Sequence, residues 1–304
     1  MDNMQKIPVF FTFDANYLLA AKVAIHSMMK HASQQYWYEL YVFHTTLSPK
    51  AQQSLRNSLK EFTHTELHFI DVTQYNEKIK NFGTKAHYSK EIFYKLIATD
   101  VLPQYDRIIC SDVDVVFTGD FSPVFFMFPN EKFYYAGVGP VENSRMPYYR
   151  KDFSTTEMEI LEHEIAAGFL LINLKELRND HKQEEIINFY VNNYPRLRLP
   201  EQDCIILTCW PYIKYLPVDY SLPISFYRLN MNQRDFYQGN TEFAGDKATA
   251  LAKFNKGLAH PVQIHYAGFD KPWNCFRLTR RQDWIKAMKS TPGGMVLYLS
   301  LIHI

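Results

Sequence analysis

The sequence has little that would place the protein outside the cell or within a membrane. It has four cysteines, Cys110, Cys204, Cys209 and Cys275, and no C-x-x-C pair. Free thiols in a reducing compartment are therefore expected, not a disulfide framework. No stretch reaches the roughly 20 apolar residues that a membrane-spanning helix needs. The opening stretch MDNMQKIPVFFTFD lacks the pattern of a secretory leader, because its apolar run is short and Asp14 closes it. Net charge is only +1, so bulk charge gives no reason to expect a nucleic-acid partner. Internal repeats and low-complexity linkers are also missing, and nothing cuts the 304 residues into independent domains. What is abundant is aromatic: 23 Phe and 21 Tyr suit a large core and a site that stacks on flat ligands.

The first half alternates strand and helix patterns. IPVFFTF (7–13) reads as a buried strand, and YLLAAKVAIHSMMKHA (17–32) as a helix with Leu18, Ala21, Ile25 and Met28 on one face. Strand YELYVFH (38–44) follows, then a helix with Ser48 as N-cap and Pro49 at its first position. ELHFIDV (66–72) is a strand, SKEIFYKLIATDVL (89–102) a helix, and RIICSDVDVVF (107–117) a fourth strand. This order argues for an α/β sheet with helices on both faces. Later, 132–139 and 167–174 read as strands, 184–194 and the run from Pro200 as helices, and 262–269 as a strand entering a loop. Residues 140–163 and 228–258 are polar without a clear period; the first is long enough for a lid or a disordered loop. The apolar end MVLYLSLIHI reads as a buried strand or a membrane-surface contact.

Within the fourth strand, Asp112 and Asp114 are two residues apart, so both face one way. Side-by-side ionised carboxylates repel, and burial adds to the cost. A divalent cation removes both penalties, and oxygen ligands suit Mg²⁺ or Mn²⁺. The bland alternative is a solvated strand end. HYAGFDKPW (265–273) is a second cluster: His265 can ligate a metal, Gly268 admits close backbone approach, and Lys271 suits a phosphate. A surface loop with a core histidine fits the same residues. The third stretch, TFDANY (12–17), puts Asp14 and Asn16 at the sheet's ligand edge, where either could equally be a helix N-cap.

Together these stretches resemble the retaining glycosyltransferases of family 8, with FDANY, KEIFYKLIATDVLPQYDRIICSDVDVVFTGDFSPVF, AAGFLLINLKELR, LPEQDCI and HYAGFDKPW spread over residues 7–275. The resemblance implies a GT-A type fold, a mixed, mainly parallel sheet flanked by helices. Residues 1–275 would be the catalytic domain and 276–304 a C-terminal tail. It implies that Asp112, Asp114 and His265 hold Mn²⁺, with Mg²⁺ as the second candidate. Asp14 would accept from uracil, Tyr17 would stack on it, and Asn16 would lie beside it. Thr12 and Val113 would contact the nucleoside through their backbones. Lys95 would reach the donor, Gly268 and Lys271 would cradle the diphosphate, and Gln202 would lie behind the anomeric carbon with Glu201 nearby. Gln202, Glu201 and Lys271 are thus the expected catalytic group. Two departures touch the sugar end: Ala166 stands where many relatives have Asn, and Glu201 where D-Q-D is common.

The activity implied is transfer of a hexose from a UDP-sugar to a glycan or lipid-linked glycan of lipopolysaccharide or capsule type. UDP-sugar hydrolysis, protein glucosylation and UDP-sugar binding without turnover are the alternatives. A cytoplasmic location follows from where sugar nucleotides are made. In the tail, Arg277, Arg280, Arg281, Lys286 and Lys289 lie among Trp284, Ile285 and Met288. That mixture suits either peripheral contact with the inner membrane or a solvated helix face.

Overall fold

Strand β1 (Lys6–Thr12) is buried from Ile7 to Thr12, as a central parallel strand covered on both faces must be. A computed structural model of the chain describes residues 4–80, 89–141, 149, 151–229, 242–243 and 245–302. From β1 the chain crosses over through α1 (Leu18–His31) to β2 (Trp37–His44), then through α2 (Pro49–Ser58) to β3 (Thr65–Asp71). These strands pair in parallel, with Thr12 opposite Phe43 and His44 opposite Asp71. As the sequence predicts, Ser48 caps α2 by accepting the Ala51 N–H, and Pro49 opens the helix.

The segment expected as a helix over 89–102 is a 3₁₀ run, Lys90–Ile97, followed by one turn of α-helix, α3 (Ala98–Val101). Glu91 and residues 93–97 are all buried, so no amphipathic period selects the α form here.

The expected strand over 107–117 is two strands in different sheets. β4 (Ile108–Ser111) lies parallel to β1 and antiparallel to β7 (Phe169–Ile172). The chain leaves the sheet at Asp112 and continues as β5 (Val115–Phe117), which pairs antiparallel with β10 (Gln263–His265). The large sheet runs β3-β2-β1-β4-β7-β6-β8, with β6 (Tyr135–Val138) and β8 (Ile213–Leu216) parallel to each other. The small sheet runs β5-β10-β9, with β9 at Leu222–Pro223.

Two stretches expected to be irregular contain helices. In 140–163, the stretch expected as a lid or loop, residues 142–148 and 150 lie outside the described residues. Beyond them α4 (Thr155–Leu161) starts with a reciprocal capping box between Ser154 and Glu157. In 228–258, residues 230–241 and 244 lie outside the described residues, and α8 (Lys247–Ala259) begins at the cap Asp246. Between them run α5 (Leu174–Asn179), α6 (Lys182–Asn193) and α7 (Pro200–Cys209).

The C-terminal tail forms α9 (Arg281–Ser290) and α10 (Gly294–Ile302), so the apolar end is helical where a strand was one expectation. Trp284, Met288 and Tyr298 are buried in a cluster with Leu19 and Val23 of α1. Trp284 and Met288 therefore face the protein and are not free to touch a membrane. Arg280 is held by Asp283, and Arg281 by the Pro272 carbonyl and the Tyr298 hydroxyl. Among the described residues, no helix is long and apolar enough to cross a membrane. All four cysteines are free thiols.

Candidate active site

A pocket of about 470 Å³ opens where β1 and β4 end. In sheets of this kind ligands gather outside the carboxyl ends of the strands. The break between β4 and β5 builds its floor. The Asp112 N–H donates to the Gly168 carbonyl (2.9 Å) and the Tyr266 N–H to the Asp114 carbonyl (2.9 Å). This pins the Asp112–Asp114 turn between the two sheets. The two carboxylates converge because a turn carries them, not because one strand presents both.

β10 delivers His265 to the same point. Its Nε2 lies 3.6 Å from Asp112 Oδ2 and 3.4 Å from Asp114 Oδ1. One ligand atom from each of the three residues falls within 4.8 Å of the others. Two carboxylate oxygens and an imidazole nitrogen form a donor set that fits Mn²⁺, and Mg²⁺ less closely. The Lys271 ammonium donates to Asp114 Oδ2 (2.5 Å) and to the Tyr266 carbonyl (3.0 Å). Burial alone would raise the Asp114 pKa, but the His265 ring and Lys271 ammonium outweigh it and hold the carboxyl well below its usual range.

Lys95 lies behind the pocket wall, fully buried. Its ammonium reaches Asp112 Oδ1 (2.6 Å), Glu201 Oε1 (3.2 Å) and the Ala167 carbonyl (3.1 Å). Burial would lower its pKa, yet the two carboxylates more than offset that and raise it. It is a fixed positive charge that orders Asp112 and Glu201.

At the β1 end, Thr12, Asp14 and Tyr17 line the pocket, as does Val113. Asp14 is also a cap: its oxygens accept the Asn16 backbone N–H (2.9 Å) and side-chain amide (3.0 Å). Asn16 is exposed and not part of the pocket wall, so the structure does not bring it to the site the sequence assigned. Tyr17 packs edge-on against Trp273 at 5.8 Å, and burial together with Asp114 pushes its pKa up to about 12. Its hydroxyl stays neutral. Gly268, also in the wall, has φ +102°, a conformation that glycine adopts without strain.

The far end is formed by Ala166, Glu201 and Gln202. Gln202 is oriented at both ends of its amide: Nε2 donates to Glu164 Oε2 (2.8 Å), and Oε1 accepts the Ala167 N–H (3.4 Å). Asp203 turns away. It accepts the N–H groups of Arg198 (2.6 Å) and Leu199 (3.0 Å) and the Tyr149 hydroxyl (3.0 Å). Burial pushes its pKa up to about 7, against an ordinary value of 3.8. The folded state therefore holds an extra proton between those two values, and stability falls as pH rises across that window. Asp203→Asn should flatten this dependence: its melting temperature should change less than wild type's between about pH 5 and about pH 8. Thermal melts at both pH values check this; a variant with the wild-type slope contradicts it.

Sequence reasoning missed two groups that hold His265 and Gln202 in place. Gly168 is tight against the metal-ligand cluster: a Cβ there would lie 2.5 Å from His265 Cε1 and 2.6 Å from Nδ1. A glycine directly before an apolar strand was the available signal. Glu164, which holds Gln202, gave none.

Comparison with known proteins agrees with this geometry. The profile of glycosyl transferase family 8 matches residues 8–276. A lipopolysaccharide 1,2-glucosyltransferase of Escherichia coli is 22% identical over 283 residues, covering 90% of this chain and 75% of its own length. The apo structure of the bifunctional glycosyltransferase WbbM superposes with a TM-score of 0.74 at 22% identity, covering 97% of this chain. This chain spans 51% of WbbM, about half its length. The galactosyltransferase LgtC, solved with donor and acceptor sugar analogues, gives a TM-score of 0.70 at 17% identity, with 94% of this chain and 96% of LgtC covered. The fold is the GT-A type expected from the sequence.

Proposed function

Because this chain belongs to glycosyl transferase family 8, we propose that its pocket binds a UDP-hexose together with Mn²⁺, or Mg²⁺ as second choice, and transfers the hexose with retention to a lipopolysaccharide- or capsule-type glycan. The observation that carries this reading is the convergence of Asp112, Asp114 and His265 beside Lys271 at the strand ends. The names of the Escherichia coli glucosyltransferase and of LgtC support the donor and acceptor classes. Within this reading, residues 1–275 are the catalytic unit. The tail beyond is a peripheral contact with the inner membrane from the cytoplasmic side, through exposed Lys286 and Lys289.

Asp14 and Tyr17 receive the uracil, with backbone contacts from Thr12 and Val113. A cation held by Asp112, Asp114 and His265 supplies neutralising charge to the diphosphate. In the reaction the bond from the anomeric carbon to the β-phosphate oxygen breaks, and Lys271 and Gly268 meet the leaving phosphate. The acceptor hydroxyl bonds to the same face of the sugar, and its proton passes to a phosphate oxygen. Gln202, an amide and a poor nucleophile, stabilises the electron-poor sugar from its fixed orientation. Glu201, anchored by Lys95, contacts the hexose. A screen of UDP-hexoses with Mn²⁺ and a glycan panel tests the reading. Release of UDP coupled to a retained glycosidic product is expected; no UDP release from any donor overturns it.

Ala166 marks the point where relatives offer an amide to the sugar. A neutral hydrogen bond contributes about 0.5–1.5 kcal/mol, so Ala166→Asn should re-rank UDP-galactose, UDP-glucose and their N-acetyl forms by about tenfold or less. UDP affinity should stay unchanged. Parallel binding and turnover measurements check this; a changed UDP affinity with the same donor ranking places residue 166 away from the sugar.

A further inference from the structure

One carboxylate in the pocket wall has no part in the arrangement above. Glu91, in the first turn of the 3₁₀ run, is only 3% exposed and lines the pocket. Its Oε1 is buried with no hydrogen-bond partner among the described residues. The cation four residues on does not serve it, because Lys95 is committed to Asp112, Glu201 and the Ala167 carbonyl. A buried carboxylate oxygen without a partner is destabilising, and one that faces a ligand pocket is placed to be completed by what binds there. The diphosphate cannot be that ligand group: it is anionic, offers only acceptors and is drawn to Lys271 and the metal ligands. The uracil N3–H is assigned to Asp14, so hydroxyls are what a UDP-hexose has left to donate along the rest of its length.

We propose that Glu91 is a specificity-determining residue whose carboxylate accepts a hydrogen bond from a hydroxyl of the bound nucleotide sugar, on the ribose or on the hexose. The inference rests on the pocket being a UDP-hexose site. Glu91 thus trades stability of the free protein for recognition of a hydroxylated ligand, and the two should separate on mutation. Glu91→Met keeps the length of the side chain and removes the acceptor; Glu91→Gln keeps one acceptor and removes the charge.

The test is calorimetric titration of the full chain, with Mn²⁺ present, by UDP, 2′-deoxy-UDP, UDP-glucose and UDP-galactose, alongside melting of the ligand-free proteins. Hydrogen bonds to charged groups predict a loss of about 10- to 100-fold in affinity for Glu91→Met and a smaller loss for Glu91→Gln. Ligand-free Glu91→Met should melt no lower than wild type. A loss already present with UDP and absent with 2′-deoxy-UDP assigns the ribose 2′-hydroxyl. A loss present with both nucleotides assigns the 3′-hydroxyl, and a loss confined to the UDP-hexoses assigns the sugar. Wild-type affinity of Glu91→Met for every probe overturns the inference, as does a melting temperature lowered with affinities intact. Failure of wild type itself to bind any of the four probes overturns the UDP-hexose reading, and this inference with it.

Discussion

Asp114→Asn is expected to lower turnover on the order of a thousandfold, since a bound cation contributes several kcal/mol to a developing phosphate charge at about 1.4 kcal/mol per tenfold. Asp114 is a partly buried carboxylate between His265 at 3.4 Å and Lys271 at 2.5 Å. The amide keeps its shape and one oxygen for Lys271 but loses the charge that makes it a ligand. Mn²⁺ affinity should therefore fall in the absence of any donor, and UDP affinity should fall with it. The fold should survive, because the turn is held by backbone bonds from Asp112 to Gly168 and from Tyr266 to Asp114. Metal titration and thermal melting of the variant separate these effects. A variant that binds Mn²⁺ like wild type removes Asp114 from the ligand set.

Gly168→Ala is expected to weaken Mn²⁺ binding by about 10- to 100-fold, the range typical for disturbing a group that orients a metal ligand. The added methyl would sit 2.5 Å from His265 Cε1 and 3.3 Å from Asp112 Oδ2. The backbone has little freedom to retreat, because Gly168 accepts the Asp112 N–H and leads directly into β7 beside β4. The imidazole must rotate away from both carboxylates instead. One methyl placed against the imidazole would thus act like removal of His265. Comparing metal affinities of Gly168→Ala and His265→Ala checks this; wild-type affinity in the glycine variant contradicts it.

Local signals predicted the elements they control. β1, β2 and α1 carry apolar patterns long enough to be unambiguous, and Ser48–Pro49 opens α2 as a cap-and-proline pair should. The break at Asp112–Asp114 was not legible, because apolar residues on both sides make two short strands look like one. What separates them is tertiary: β5 belongs to a sheet whose partners, β9 and β10, come about a hundred residues or more later. α4 and α8 were hidden by their polar outward faces, although Ser154–Glu157 and Asp246 mark their starts. In the site, residues that bear charge at a strand end were readable, and Asp112, Asp114, His265 and Lys271 do meet. Asn16 lies outside the pocket wall, its amide held by Asp14 two residues away. The surroundings of Gly168, Glu164 and Glu91 come from residues distant in the chain, which spacing along it does not encode.

In the proposed function, Asp112, Asp114 and His265 hold a cation that in turn holds a nucleoside diphosphate. The most direct test is calorimetric titration of UDP into the metal-stripped chain, with and without added Mn²⁺. UDP should bind weakly or not at all without metal, Mn²⁺ should raise its affinity by about tenfold or more, and EDTA should reverse the gain. Equal UDP affinity in the two titrations would contradict it.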